Sequence, residues 1–106
     1  MLFSRKARLT SKDDFARMFS EGTRKKSGPL LVYRRENELD RARLGLSVPK
    51  RVGNAVVRNL IKRRCREAFR ALQHDLPGLD IMVTVRFHSP LPMESYKKLI
   101  VDGISK

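Results

Sequence analysis

The chain has no tryptophan, a single cysteine, and fewer than half as many acidic residues as basic ones. One thiol, Cys65, excludes an internal disulfide and points to a reducing compartment. No apolar run approaches the roughly twenty residues that span a bilayer. The basic residues of Met1 to Lys12 are followed by no apolar segment of the kind a signal peptide carries. The cytoplasm is therefore the expected location, with no membrane partner. The oligomeric state is left open.

What is present is charge of one sign. Lys and Arg number 24 against 11 Asp and Glu, for a net charge of +13 on 106 residues. Charge at that level repels itself and is not needed for solubility, so it implies a polyanionic partner. Nucleic acid comes first and an anionic membrane surface second. The 41% hydrophobic content suffices for one modest core. The length allows one domain, so residues 1–106 are read as a single RNA-binding unit.

Residues 1–10 read as an extended basic arm, anchored by Leu9. A helix is expected from Thr10 or Ser11, with Asp13 and Asp14 near its positive end. Phe15, Met18 and Phe19 share one of its faces, and Gly22 closes it. Thr23 to Ser27 is a short polar stretch ending at Gly28-Pro29. Leu30 to Arg35 and Arg43 to Pro49 alternate as strands. A long helix runs from Asn54 to about His74. Ile81 to Phe87 is a β-rich run with Ile81, Val83, Val85 and Phe87 on one face. Met93 to about Ile104 is the last helix. The order suggests an α+β packing, with helices on one face of a small sheet and the other face partly open.

The long helix carries the strongest functional signal. At about 100° per residue, Arg58, Lys62, Arg66, Asn59, Arg70 and Arg63 fall within one arc of about 140°. Val57, Ala68, Ile61, Leu72, Cys65 and Phe69 form a continuous apolar stripe beside it. Exposed helical faces ordinarily mix signs, because pairs of opposite charge four apart stabilise them. Here Glu67 is the one acid between Arg41 and Arg70. Phosphates would offset that repulsion. Lys50 and Arg51 lie just before Asn54, where free amides of the first turn also attract phosphate. Asn54 taken alone reads as a cap.

Catalysis by the protein itself has little support. Metal-assisted phosphodiester cleavage calls for clustered carboxylates, and those of this chain are scattered. His74 and His88 are isolated and read as surface or capping residues. Cys65 lies in the apolar stripe and reads as a buried thiol. No helix-turn-helix or zinc-ligand spacing suggests a DNA-binding module. A ribosomal or RNA-chaperone protein remains compatible with the composition.

The run RLGLSVPKRVGNAVVRNLIKRRCREAFR, from Arg43 to Arg70, closely resembles the signature of the protein component of bacterial ribonuclease P. Arg8-Leu9, the Asp14–Phe19 helix ending at Gly22, Tyr33, and Asp80-Ile81 fall in that family's order. The resemblance implies an α-β-β-β-α-β-α sandwich similar to the second domain of ribosomal protein S5, with a left-handed crossover. It also implies a protein cofactor of a catalytic RNA that removes the 5′ leader of precursor tRNA with Mg2+. By the same resemblance, Lys50, Arg51, Asn54, Arg58, Asn59, Lys62, Arg63, Arg66 and Arg70 would contact the RNA subunit. Phe15, Phe19 and Tyr33 would hold the leader. Without the resemblance, Phe15 and Phe19 read as core, while the Tyr33 hydroxyl favours a wet edge. Leu60 stands where the family carries a basic residue, and Arg64 is the candidate to replace it.

Overall fold

The sheet grows from a tight reversal at Gly28-Pro29. Gly28 takes φ 55°, a left-handed value that glycine adopts without a steric penalty. The reversal joins β1 (Thr23–Ser27) to β2 (Leu30–Glu36) in an antiparallel hairpin. The computed structural model describes residues 12–105, without the side chains of residues 12–15 and 17. The proposed N-terminal arm, the Leu9 anchor, the helix start at Thr10 or Ser11, and the side chains of Asp13, Asp14 and Phe15 lie outside the described residues.

The remaining elements are α1 (Lys12–Glu21), β3 (Arg43–Ser47), α2 (Ala55–Leu72), β4 (Leu79–Val85) and α3 (Met93–Ile104). Their order along the chain is α-β-β-β-α-β-α. The strands lie in the order β1-β2-β4-β3. β4 is central, antiparallel to β2 and parallel to β3, with α2 making the crossover between β3 and β4.

Alternation along the strands gives the sheet two unlike faces. Leu30, Val32, Leu44, Ile81, Val83 and Val85 pack beneath Ile61, Cys65, Ala68 and Phe69 of α2 and Tyr96 and Ile100 of α3. This is the main core. On the opposite face α1 lays Met18 against Met82 and Tyr33. Helices therefore touch both faces, where the sequence suggested one. A single short helix covers the second face only in part, leaving Leu31, Ser47 and Thr84 half-buried.

Gly22 closes α1, as its position predicts, with its amide donating to Met18 O at 3.0 Å. A Cβ there would stand 2.6 Å from that oxygen and 2.9 Å from the Arg34 carbonyl, so only glycine allows α1 to turn so closely onto β2.

Two strand boundaries differ from the expectation. β3 stops at Ser47, and Lys50–Val52 form a 3-10 turn before α2. β4 begins at Leu79 and ends at Val85, so Phe87 lies beyond it and is 76% exposed. The cause is the partner strand. β2 starts at Leu30, opposite Val85, and the last rung is the Arg86 amide donating to Pro29 O at 2.9 Å. Proline offers no N–H to continue the ladder.

Candidate nucleic-acid interface

α2 takes its orientation from its apolar stripe. Ile61, Cys65, Ala68, Phe69 and Leu72 are buried, with Val57 packed at the margin. The opposite side is left to solvent, and the basic residues occupy it. Asn54 caps the helix, its Oδ1 accepting from the Val57 amide at 3.0 Å. Arg58 Nε donates to Gly53 O at 3.1 Å. That bond folds the Arg58 guanidinium back over the helix start, beside exposed Lys50 and Arg51. Arg58, with Lys50 and Arg51 in the turn just before α2, thus brings cations to the helix start, where the dipole already attracts anions.

Further along, Lys62 and Arg66 are half-buried and Asn59, Arg63 and Arg70 are exposed. Among the described residues only Arg63 of this set has an acidic neighbour, Glu67, at a loose 3.9 Å. Exposed pairs of that kind contribute little. The arc is therefore a nearly uncompensated positive surface.

Arg64 does not stand in for a cation at Leu60. Its guanidinium donates to Leu91 O at 2.7 Å, which turns it towards the segment before α3. Leu60 is half-buried beside Val56, Asn59 and Arg63. Cys65 is buried, and desolvation pushes its thiol up to about 12, with the Arg66 charge pulling weakly the other way. At neutral pH it is a protonated core group and not a nucleophile.

The second cluster lies on the partly open sheet face. Phe19 of α1 and Tyr33 of β2 meet edge to face, with ring centroids 5.1 Å apart. Phe19 is 54% exposed. The Phe19 ring stands in solvent against a second ring, so the core reading of Phe19 does not hold. Phe15 lies on α1, but its side chain is outside the described residues. Arg24 sits directly across from Tyr33 in the β1–β2 register, so positive charge flanks the rings.

The chain belongs to the ribonuclease P protein family. The Ribonuclease P family model matches residues 3–100. The ribonuclease P protein component of Aliivibrio salmonicida is 40% identical over 100 residues, covering 92% of this chain and 86% of that protein. A mutant ribonuclease P protein of Staphylococcus aureus superposes with a TM-score of 0.85 at 30% identity, covering 94% of this chain and 86% of its own. The ribonuclease P protein of Thermotoga maritima superposes with a TM-score of 0.78 at 29% identity, over 90% and 92% of the two chains. The α+β order expected from the sequence is the order of this family.

The roles of two groups were not legible in the sequence. Asp80, 1% exposed, accepts from Arg43 Nε at 2.8 Å and Nη2 at 2.7 Å, and from Asn37 Nδ2 at 2.9 Å. It joins β3, β4 and the β2–β3 loop. His88 is neither a cap nor an isolated surface group. Its Nδ1 lies 2.8 Å from Arg86 O, and its Nε2 lies 2.7 Å from the hydroxyl of fully buried Tyr96. A carbonyl only accepts, so Nδ1 carries the proton and Nε2 accepts from Tyr96. The Tyr96 oxygen in turn accepts from the Leu91 amide at 3.1 Å. Arg43 and Asp80 fall in the family's pattern, but nothing in the sequence pairs them across 37 residues, and the His88–Tyr96 bond depends on how the chain turns between Arg86 and α3.

Proposed function

We propose that this chain is the protein cofactor of a ribonuclease P ribonucleoprotein, promoting 5′-end maturation of precursor tRNA in the cytoplasm. Lys50, Arg51, Asn54, Arg58, Asn59, Lys62, Arg63, Arg66 and Arg70 dock on the catalytic RNA. Phe19 and Tyr33, with Phe15, hold the single-stranded 5′ leader. The observation that carries this reading is the basic arc of α2, left almost without acidic partners on a helix whose other side is fully engaged in the core. Rings flanked by cations suit single-stranded RNA, because every base offers a π-face for stacking.

The cleavage chemistry is assigned to the RNA subunit with Mg2+, which supplies an activated water for phosphodiester hydrolysis. Among the described residues no three carboxylate, imidazole or thiol groups converge to hold a cation. The role of the chain is then to bind and align two RNAs, a positioning effect on catalysis. No helix among the described residues is long and apolar enough to cross a membrane.

Reconstitution with a bacterial ribonuclease P RNA tests the proposal. The protein should lower the magnesium or substrate concentration that RNA requires, while cleaving no precursor tRNA by itself. Cleavage by RNA-free protein would sink the reading. Phe19→Ala should weaken leader-bearing substrate by roughly 1–3 kcal/mol, the usual value of one base–aromatic stack, and leave mature tRNA unaffected. Equal loss on both substrates would remove Phe19 from the leader site.

A further inference from the structure

The open face does not end at the aromatic pair. Beyond Tyr33 lies β1, an edge strand whose Thr23, Arg24, Lys25 and Lys26 are all exposed. Around its first half runs a groove of about 620 Å³, walled by Glu21, Arg24, Lys25, Arg34, Arg35 and the exposed Glu36, and closed below by the end of α3 at Gly103 and Ser105. The charges in it are unequally committed. Arg35 is paired with Glu21 at 2.9 Å. Arg34 donates to Ile104 O, which satisfies a free carbonyl at the end of α3. Arg24 and Lys25 have no acidic partner among the described residues.

Lysines on an edge strand also discourage strand-to-strand aggregation. That accounts for charge along β1, but not for a groove that has one free cation on the side of the rings and a second around the strand edge. Arg24 occupies the register position facing Tyr33, on the side of the rings, whereas Lys25 faces Val32 on the α3 side, so the groove leads from the rings around the β1 edge.

We propose that this groove is a second RNA subsite, taking phosphates of the 5′ leader upstream of the nucleotides stacked on Phe19 and Tyr33. The proposal rests on the leader reading given above. It also sets a direction. β3, which leads into Lys50, Arg51 and the docking helix, lies at the opposite edge of the sheet from β1. The two edges are separated by three strand spacings, about 14 Å. The cleavage point belongs with the catalytic RNA at the β3 side. The leader then crosses the strands towards β1, with its distal nucleotides in the groove.

The test is binding of the reconstituted holoenzyme to precursor tRNAs with leaders of about 6 and about 16 nucleotides, and to mature tRNA, over a range of salt. Both cations are exposed, so the double variant Arg24→Gln with Lys25→Gln should keep the native thermal midpoint. It should weaken the long-leader substrate roughly three- to tenfold. Its salt slope on that substrate should fall by about 1.4, for two phosphate contacts on a single strand. The short-leader substrate and mature tRNA should be unchanged within about twofold. Equal loss on all three RNAs, or no loss on any, overturns the subsite. Phe19→Ala, measured beside it, should weaken both leader substrates. Loss there with an unaffected double variant overturns the groove alone, whereas no loss on either leader overturns the leader path itself.

Discussion

Asp80 is the one fully buried carboxylate among the described residues, and it is paired with Arg43. Asp80 holds both guanidinium nitrogens and the Asn37 amide at once. The site ties the start of β3 to the start of β4, the two parallel strands that α2 bridges. Removing the carboxylate would strand a mostly buried guanidinium. Asp80→Ala should therefore cost about 3–5 kcal/mol in urea unfolding, and Asp80→Asn, which keeps an acceptor oxygen, should cost less. A loss below about 1 kcal/mol for the alanine variant would show the pair to be dispensable. Neither residue could be assigned this role from the sequence. They are far apart in the chain, and a charged residue read alone is expected at the surface. The bond between His88 and Tyr96 spans only eight residues, but it depends on how the segment before α3 folds back, which no periodicity encodes.

For the elements, legibility depended on how local the determining force is. α2 could be read almost completely, because its period, its Asn54 cap and its one-sided charge are all contained in consecutive residues. The angles separated Ile61, Cys65 and Phe69 from Lys62, Arg66 and Arg70, and the fold buries the first set and exposes or half-exposes the second. Arg66→Ala should leave the helix intact and reduce the salt slope of binding to the RNA subunit by about one. An unchanged slope would take Arg66 out of the interface. β4 was less legible at its end. Phe87 continues the alternation of Val83 and Val85, yet a strand ends where its neighbour does, and β2 begins at Leu30. Arg64 shows the same limit, since its place on the helical wheel could not reveal that Leu91 O was within reach.

At the scale of the whole molecule, the sheet separates two surfaces. One face carries the core and, outside it, the basic arc of α2. The other carries Phe19 and Tyr33, with Arg24 of β1 across from the tyrosine. A net charge of +13 on 106 residues strains the folded state by self-repulsion. The thermal midpoint of the isolated protein should rise as ionic strength goes from about 10 mM to about 150 mM, as the Debye length falls from roughly 30 to 8 Å. A flat response would mean that the cations are already compensated within the chain.

By itself the sequence determined the polyanionic partner, the order of the elements and the division of α2 into a buried stripe and a basic arc. Charge balance and helical periodicity are properties of neighbouring residues and need no fold to be expressed. Only the tertiary structure decided that Phe19 stands in solvent against Tyr33, and that Arg64 is turned away from Leu60. It also decided that Arg24 and Lys25 share a groove with the end of α3. Each of these depends on which strand lies beside which and on where a neighbouring element stops. Those are contacts between distant parts of the chain, and no local pattern encodes them.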